Sequence, residues 1–555
     1  MSMRKVLACL LAASVMTATS APAAMNPISG DPVTIDSGRV SGTMLSSGVK
    51  AYLGIPFAEP PVGQLRWSAP RPIRWDGIFN ADRKGAECIQ VLRPHNINHY
   101  FGEEPSSEDC LYLNVWTPPQ AKPGAKLPVI VFIYGGGFTI GSSGMANYDG
   151  ENVARAGAVY VNFNYRVGAM GFLAHPELTA EQGGHSGNYA LMDQALALKW
   201  IHDNIDKFGG DPSKVLIMGQ SAGARSVSLQ LFNPMAKGLF RAAVMSSGCN
   251  FVGEGATGGT MMALPEAEKV GLAYQEKLGA KNLEDLRALP ADKILAVQSE
   301  TQVGANVQGV RIQGAIVDGY VIPRQNGEML ATGDIARVPI IASYNSDDID
   351  AGMSPLSRVR TVAEYKAAVE KLYGENAAQF LKMFPIATDA EVPAKAKRYA
   401  TMAGFEKSAR QCALGMQKLG VNGYVDEYSR KHPYAPGVKI ADQNIETVGA
   451  YHTADMPYWL NTLDKYNMLR TTRAWTEADR TLSAQMLGAL IAMAETGSPS
   501  TKALPWPALT TKTDVKMNFD TPAKVEPLDA KRLDWLAAHP AAVAPRSTTP
   551  GRPID

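Results

Sequence analysis

The sequence lacks an excess of charge of either sign, since 54 Lys and Arg residues stand against 53 Asp and Glu residues. A net charge of +1 over 555 residues gives no basic surface of the kind that binds nucleic acid or anionic membranes. Charged residues make up 19% of the chain and hydrophobic residues 45%, which excludes a disordered chain. We therefore expect a globular protein with a large core and no nucleic-acid partner.

No apolar run near the start is long enough for a transmembrane helix, so no integral membrane span is predicted. The run at residues 6–16 has eleven residues, where about 20 are needed. Two basic residues precede this run and the small residues 21–24 follow it, which is the order of a secretory signal peptide. We predict that residues 1–24 are a signal peptide, cleaved near Ala23 or Ala24, and that the protein is secreted or periplasmic.

Cysteine is scarce, with five residues in the chain and four after the predicted cleavage. No C-x-x-C spacing occurs, and the sequence predicts neither a metal site nor a cofactor. Cys88 and Cys110 are the first choice for a disulfide, because a bridge would constrain a polar, turn-rich loop that has little core of its own. Cys249 and Cys412 could pair or stay free, and we interpret them as buried free thiols.

The centre of the chain alternates between strand and helix patterns, as in a parallel sheet. Residues 129–134 and 158–163 are short runs of β-branched and aromatic residues, typical of strands buried on both faces. Apolar residues within 187–206 recur at helical spacing, and residues 215–218 return to the strand pattern. Later strands are predicted at residues 244–245, 338–342 and 423–425. Residues 250–335 are predicted to be irregular and to cover a site.

The G-x-S-x-G motif centred on Ser221 follows the strand predicted at 215–218 and precedes residues compatible with a helix. Such a turn projects the serine above the sheet, and a Cβ at either glycine would crowd the turn. The start of the helix offers backbone N–H groups and a favourable dipole to a developing oxyanion. The pentapeptide alone also fits a structural turn, but its position between strand and helix predicts a nucleophile.

A second glycine cluster, residues 135–137, ends the strand predicted at 129–134. Consecutive glycines let the backbone turn its N–H groups toward a shared cavity, which is how further oxyanion donors are supplied beside such a serine. The alternative interpretation is a flexible loop.

A serine nucleophile needs a histidine base and an acid that orients the base, in the chain order Ser, Asp or Glu, His for this kind of turn. Past the strand at 338–342 lie His432, His452 and His539. His432 and His539 each precede proline in polar surroundings and are predicted to lie on surface loops. This leaves His452 as the candidate base.

The acid should follow the end of a strand. Asp347, Asp348 and Asp350 come directly after the strand predicted at 338–342. Clustered acids on a loop are often solvated or capping groups, so spacing alone does not choose among the three.

Several segments of the chain resemble the type-B carboxylesterase/lipase family, which includes the cholinesterases. The segments that carry the resemblance are Phe208–Pro212 with Val215–Gly223, Glu108–Val115, Gly54–Ala58, Tyr165–Gly168 and the surroundings of His452. The resemblance implies an α/β-hydrolase fold, with a mostly parallel central sheet, helices on both faces and long insertions covering the active site. It also implies a single domain over residues 25–544, and residues 545–555 are predicted to be a flexible tail.

Carried onto the matching positions, the resemblance implies Ser221 as nucleophile, His452 as general base and Asp348 as the acid. The family usually has Glu at the acid position, and the shorter side chain here keeps Asp347 and Asp350 open. Backbone oxyanion donors are implied at Gly136, Gly137 and Ala222, and the Cys88–Cys110 bridge is supported. The implied reaction is hydrolysis of small-molecule carboxylic esters through an acyl-enzyme, with no metal and no cofactor.

Two positions bear on the substrate. Relatives that bind choline carry Glu before the serine and Trp in the first disulfide loop, whereas this sequence has Gln220 and no Trp between Cys88 and Cys110. A quaternary-ammonium ester is therefore not the expected substrate. Arg225 stands where relatives mostly have a small residue, and it could bind a substrate carboxylate or pair with a protein acid on the same helix face. Gln220 and Arg225 are thus substrate-binding candidates.

Two alternatives to a carboxylesterase remain at this point. One is a lipase acting at interfaces, which would need a large apolar lid that residues 250–263 suggest only weakly. The other is a non-catalytic binding member of the same fold, and the intact Ser221 and His452 argue against it.

Overall fold

The computed structural model of the protein describes residues 26–102, 104–251, 261–302, 312, 314–349 and 353–542. The predicted signal peptide, the predicted C-terminal tail and Asp350 lie outside the described residues. The strands are β1 Val33–Ile35, β2 Gly38–Ser41, β3 Thr43–Met44, β4 Lys50–Pro56, β5 Ile78–Asn80, β6 Glu87–Cys88, β7 Ser106–Ser107, β8 Tyr112–Thr117, β9 Leu127–Ile133, β10 Val159–Phe163, β11 Gly210–Gln220, β12 Ala242–Ser246, β13 Ile340–Asn345, β14 Gly423–Tyr428, β15 Val515–Phe519 and β16 Lys524–Pro527.

Eleven of these strands form one sheet, in the order β16-β15-β14-β13-β12-β11-β9-β10-β8-β4-β3. The strands from β15 to β10 pair in parallel, and antiparallel strands flank them at both edges. Every residue of β10, β12, β13 and β14 is buried, as expected for parallel strands covered on both faces. The strands predicted from apolar runs are confirmed, with shifts of a few residues at their ends.

Helices connect the parallel strands and cover both faces of the sheet. They are α1 Glu151–Arg155, α2 Gly168–Phe172, α3 Pro176–Glu181, α4 Tyr189–Asn204, α5 Ala222–Phe232, α6 Leu264–Lys277, α7 Leu283–Ala288, α8 Ala291–Gln302, α9 Asn326–Thr332, α10 Val362–Tyr373, α11 Ala377–Met383, α12 Val392–Thr401, α13 Lys407–Lys418, α14 Met456–Trp459, α15 Glu477–Thr496 and α16 Ala530–Ala538. The helix α5 packs on β11 and β12, α13 on β13 and β14, and α15 on β9 and β11. The α/β-hydrolase architecture and the predicted helix within 187–206 are confirmed.

The prediction that residues 250–335 are irregular was wrong for most of the part that the structure describes. Four helices, α6 to α9, lie in this stretch. In α6 only a narrow stripe is buried, at Ala267, Gly271 and Tyr274, which is too sparse to stand out as an apolar pattern. The glycine in this stripe is a packing residue, since a Cβ at Gly271 would lie 1.8 Å from the carbonyl oxygen of Ala174.

Two disulfides link the described residues. Cys88 bonds to Cys110, as predicted. Cys249 bonds to Cys412, so the interpretation of these two residues as free thiols was wrong. The two cysteines are separated by 163 positions in the sequence, but the order of strands in the sheet brings them together. Cys249 follows β12, and Cys412 lies on α13, which packs against the neighbouring strand β13.

None of the helices in the described part of the chain combines the length and the apolar character that crossing a bilayer requires.

Candidate active site

The candidate catalytic residues Ser221 and Asp348 and the glycine loop (residues 135–137) each follow a parallel strand and lie at one edge of the sheet. Ser221 directly follows β11, the glycine loop follows β9, and Asp348 follows β13. The carboxyl ends of parallel strands meet at the same edge of an α/β sheet, so these residues converge although more than eighty residues separate each from the next in sequence.

The turn at Ser221 is held in a conformation that non-glycine residues rarely adopt. Its φ is 56° and its ψ −123°, and α5 begins at the next residue. Both flanking glycines are required by close packing, because a Cβ at Gly219 would lie 2.3 Å from the carbonyl carbon of Gly223, and a Cβ at Gly223 would lie 2.0 Å from the oxygen of Ile133. The tight turn predicted from the motif is therefore present.

A continuous chain of hydrogen bonds joins the serine, a histidine and an acid. The Ser221 hydroxyl lies 2.8 Å from Nε2 of His452, and Nδ1 of His452 lies 2.5 Å from Oδ1 of Asp348. Asp348 is fully buried, and its Oδ2 accepts the backbone N–H of Asn345 at 3.0 Å. With Nδ1–H donating to the carboxylate, Nε2 is left as the acceptor of the serine proton.

Asp347, which spacing could not distinguish from Asp348, has a different position. Its Oδ2 accepts the backbone N–H of Ala450 at 3.0 Å and the Ser346 hydroxyl at 2.8 Å. Its own backbone N–H donates to the carbonyl of Ala450 at 3.2 Å. Asp347 thus anchors the loop that carries His452, whereas Asp348 contacts the imidazole itself.

Gly449 is needed for this anchoring, and its replacement supplies a test. Its φ is +72°, and a Cβ there would lie 2.3 Å from Cγ of Asp347. We expect Gly449→Ala to lower the free energy of unfolding by about 3 kcal/mol, since the side chain adds a clash to the backbone strain, and to lower kcat by displacing His452.

Gly437 is the matched control for this substitution. Its φ is +76° and nothing lies within 4 Å of a Cβ built there, so Gly437→Ala should cost only the strain of about 1 kcal/mol. Urea unfolding curves and initial rates for the two variants measure both effects. Equal losses of stability would show that the contact with Asp347 has no energetic role.

The glycine loop lies against the serine. A Cβ at Gly135 would be 3.0 Å from Cβ of Ser221, and one at Gly136 would be 2.1 Å from the oxygen of Ile140. Gly136 and Gly137 have φ values of 111° and 63°, in the region that favours glycine. The loop can therefore approach the nucleophile closely only without side chains.

Ala222 is the first residue of α5, so its N–H belongs to the first turn, whose N–H groups have no acceptor within the helix. The three backbone groups predicted as oxyanion donors, those of Gly136, Gly137 and Ala222, thus belong to two segments that both adjoin Ser221.

An additional buried acid, Asp455, lies behind the hydrogen-bonded chain. It accepts the Ser246 hydroxyl at 2.5 Å and the side-chain amide of Asn345 at 3.3 Å. Burial and the nearby charge of Asp348 raise the pKa of Asp455 to about 6, although the Ser246 hydrogen bond opposes the shift. No pattern in the sequence distinguishes this acid from a surface carboxylate.

The raised pKa of Asp455 makes stability depend on pH. The carboxyl proton of Asp455 is bound more tightly in the folded state than in the unfolded chain. The contribution of Asp455 to the free energy of unfolding is therefore complete below about pH 4 and is lost as pH rises through about 6. Relative to Asp455→Asn, we expect the free energy of unfolding of the natural protein to fall by about 2 kcal/mol from pH 4.5 to pH 7.5. Urea unfolding of both proteins at the two pH values measures this change. A difference in the free energy of unfolding between the two proteins that is the same at both pH values would contradict the raised pKa of Asp455.

Phe405 is a second residue that sequence reasoning missed. Its ring centroid lies 5.9 Å from that of His452. It belongs to a single π-helical turn, Met402–Glu406, between α12 and α13. Such turns occur often at functional sites, and this one brings an aromatic ring to the candidate base.

His432 is buried, so its prediction as a surface-loop residue was wrong. Its Nε2 lies 2.7 Å from the carbonyl of Ala454, and rings of Tyr451, Tyr458 and Trp475 surround it. His539 directly follows α16, and its ring stacks on Trp535. Neither histidine contacts Ser221, which agrees with the choice of His452.

The two substrate-binding candidates lie beside the site. Gln220 is buried, and its Nε2 is 3.3 Å from Nε2 of His452. Arg225 is half-buried on α5, with its guanidinium carbon 5.9 Å from the ring centroid of Phe138, which follows the glycine loop. Contact of either residue with a substrate stays a prediction.

Described residues between β12 and β13 pack beside the glycine loop, against Ala169 and Phe138. Oε1 of Gln298, on α8, accepts the N–H of Ala169 at 3.1 Å, and a Cβ at Gly314 would lie 2.8 Å from the ring of Phe138. Within the described ranges, no group of His, Cys, Asp and Glu side chains has the arrangement of a metal site.

Comparison with known proteins covers nearly the whole chain. A model of the carboxylesterase family matches residues 29–535. The para-nitrobenzyl esterase of Bacillus subtilis (strain 168) is 30% identical over 505 residues, which are 89% of this chain and 96% of that protein. A solved structure titled PNB esterase superposes with a TM-score of 0.74 at 29% identity, over 91% of this chain and 98% of that one.

A second relative is more similar over a shorter stretch. Fumonisin B1 esterase of Sphingopyxis macrogoltabida is 39% identical over 365 residues. The aligned stretch covers 65% of this chain and 64% of that relative, which is slightly less than two thirds.

Proposed function

This chain belongs to the carboxylesterase family and is a carboxylic ester hydrolase, and we propose that it works as a serine esterase with Ser221 as nucleophile, His452 as base and Asp348 as orienting acid. The observation that carries the proposal is the unbroken hydrogen-bond chain from the buried Asp348 carboxylate through His452 to the Ser221 hydroxyl. A group of this kind turns a weakly nucleophilic hydroxyl into one that can attack a carbonyl.

In the proposed acylation, Oγ of Ser221 bonds to the ester carbonyl carbon while its proton moves to Nε2 of His452. The carbonyl oxygen takes the negative charge and accepts hydrogen bonds from the backbone N–H groups of Gly136, Gly137 and Ala222. When the intermediate collapses, the bond to the leaving alkoxide breaks, and His452 returns the proton to it. Water then attacks the acyl-enzyme in the same way, which releases the acid and restores Ser221.

Asp348 has two tasks in this scheme. Its buried carboxylate fixes the tautomer of His452, and it stabilises the imidazolium that forms in each transition state. The shorter aspartate reaches the imidazole at a position where the family usually has glutamate. The backbone N–H of Asn345, the last residue of β13, holds the other carboxylate oxygen of Asp348.

The proposed substrates are small neutral or anionic esters. Gln220 supplies no negative charge for a quaternary ammonium group, and Arg225 beside the glycine loop supplies a positive one. The names of the two relatives make p-nitrobenzyl esters and fumonisin B1 suitable first compounds to test.

A matched pair of esters tests the assignment of Arg225. We expect Arg225→Gln to lower kcat/KM about tenfold for the mono-p-nitrophenyl ester of glutaric acid, since a charge-assisted hydrogen bond is lost. The p-nitrophenyl ester of pentanoic acid has the same chain length without the carboxylate, and its kcat/KM should stay the same. Equal effects on the two esters would assign Arg225 a structural role.

We further propose that residues 1–24 are removed during export and that residues 25–544 form one catalytic domain. The order of charged, apolar and small residues supports the first point, and two disulfides are compatible with an oxidising compartment. N-terminal sequencing of the exported protein tests it, and a chain that still begins at Met1 would contradict it.

A further inference from the structure

The segment that carries the candidate base, residues 449–455, has a strained residue beside His452. We call this segment the histidine loop. Thr453 directly follows His452 and has a φ of +79°. A β-branched residue rarely adopts this left-handed conformation, which persists only where contacts from the surrounding structure hold it. The contacts of Thr453 therefore bear on the position of the neighbouring imidazole.

The side chain of Thr453 is held by a residue from a distant part of the chain. Nε2 of His99 lies 2.5 Å from Oγ1 of Thr453, and His99 belongs to the Cys88–Cys110 loop. Within the described ranges, the Thr453 hydroxyl makes no other hydrogen bond. Thr453 is 9% exposed, and buried hydroxyl groups are normally hydrogen-bonded. The hydroxyl thus depends on His99 for its partner in the protein.

His99 pairs with this hydroxyl as a neutral ring. Burial lowers the pKa of His99 to about 4. The carboxylate of Asp442 opposes this shift, and the nearby charges of His452 and Arg473 add to it. At neutral pH the imidazole of His99 is therefore uncharged, and it puts no second charge beside the imidazolium that His452 forms during catalysis. A neutral imidazole has one donor and one acceptor nitrogen, so it pairs with a hydroxyl in either sense.

Other contacts hold the histidine loop through its backbone. Asp347, Asn345 and His432 each make a hydrogen bond with a backbone group of this loop. None of these three bonds involves residue 452 or residue 453. The hydrogen bond with His99 is therefore the one that orients the residue next to His452 through its side chain.

We propose that His99 is a positioning residue for the base, and that it acts on His452 through the hydroxyl of Thr453. The proposal rests on the proposed function, in which Nε2 of His452 takes and returns a proton in both acylation and deacylation. A rotation of the backbone at Thr453 would turn the peptide that joins it to His452 and displace the imidazole. A displacement of about 1 Å of a catalytic group can lower a rate about 100-fold.

Two substitutions of Thr453 separate its hydroxyl from its shape. Thr453→Val removes the hydroxyl and keeps the β-branched side chain, so the hydrogen bond is lost while the backbone preference stays similar. We expect kcat for p-nitrophenyl acetate to fall about tenfold with KM within about twofold, because the base is displaced and the substrate contacts remain. Thr453→Ser restores a hydroxyl, and its kcat should be at least about fivefold above that of Thr453→Val. Equal kcat values in the two variants would overturn the proposal.

A double-mutant cycle tests whether His99 acts through Thr453. His99→Ala alone should lower kcat about tenfold, and the loss should stay about tenfold when Thr453→Val is added, because both substitutions remove the same hydrogen bond. Losses that multiply to about 100-fold would overturn the proposal. His95→Ala is the matched control on the same disulfide loop. The ring of His95 lies 4.7 Å from that of Tyr100, and kcat should stay within about twofold of the natural value.

A measurement without substrate distinguishes this proposal from the proposed esterase function. In protein with ¹⁵N-labelled histidine, the proton between Nδ1 of His452 and Asp348 is observed by NMR at low field, and its exchange with solvent reports how firmly the imidazole is held. We expect exchange at least about fivefold faster in Thr453→Val and His99→Ala, and the natural rate in His95→Ala. This result in a protein that hydrolyses no ester would support the link from His99 to His452 and refute the esterase. Unchanged exchange in both Thr453→Val and His99→Ala would overturn the positioning role, whether or not esters are hydrolysed.

Discussion

Ser221→Ala should abolish ester hydrolysis, with kcat falling about 10⁶-fold toward the rate of the uncatalysed reaction. The reason is chemical, because the oxygen of the Ser221 hydroxyl forms the bond to the acyl group, and this oxygen lies 2.8 Å from Nε2 of His452. The hydrogen bond between His452 and Asp348 and the glycine loop would remain, so substrate binding should change little. Initial rates on p-nitrophenyl acetate, with the natural protein as reference, measure the loss.

Ser228→Ala is the matched control on the same helix. Ser228 is buried on α5, and its hydroxyl donates to the carbonyl of Asn250 at 3.2 Å. Its loss should cost about 1 kcal/mol of stability and leave kcat within about threefold of the natural value. Substantial activity in Ser221→Ala, with activity lost in Ser228→Ala, would mean that another group carries the chemistry.

Asp348→Asn should lower kcat about 10⁴-fold while the protein stays folded. The amide is isosteric with the carboxylate, so the packing around this buried position is kept. However, an amide cannot stabilise the imidazolium of His452, and its NH₂ group can hold Nδ1 as an acceptor, which leaves Nε2 protonated and unable to take the serine proton. Rates on p-nitrophenyl acetate and near-ultraviolet circular dichroism together separate this effect from unfolding.

Asp347→Asn distinguishes the two neighbouring acids. The side-chain oxygen of Asn can still accept the N–H of Ala450, so the loop that carries His452 should keep its position. We expect kcat to fall less than about tenfold. A loss in Asp347→Asn as large as that in Asp348→Asn would contradict the assignment of Asp348 as the single orienting acid.

The candidate nucleophile and the strands around it could be predicted from the sequence because their signals are local. A G-x-S-x-G turn needs glycines within two residues of the serine, and the structure shows why: a Cβ at Gly219 or Gly223 would overlap backbone atoms. Short apolar runs likewise indicate buried parallel strands, so the positions of β9 to β13 could be predicted from the sequence alone. The chain order of serine, acid and histidine, together with the surroundings of His432 and His539, then left His452 as the candidate base.

The second disulfide, the burial of His432 and the choice of the acid depend on contacts between segments that are distant in the sequence, and no local sequence pattern predicts such contacts. Cys249 and Cys412 come together only because β12 and β13 are neighbours in the sheet. His432 looks polar by its sequence neighbours, but it is surrounded by aromatic rings from residues 451–475. The choice between Asp347 and Asp348 required the positions of Ala450 and His452 in three dimensions.

Trapping the acyl-enzyme tests the central claim most directly. A slowly hydrolysed p-nitrophenyl ester, or a phosphonate that mimics the tetrahedral intermediate, is added to the natural protein, and the adduct is located by peptide mass spectrometry. The account predicts one covalent adduct per chain, on the peptide that contains Ser221, and none in Ser221→Ala. An adduct on another residue, or turnover of the ester with no adduct at all, would contradict it.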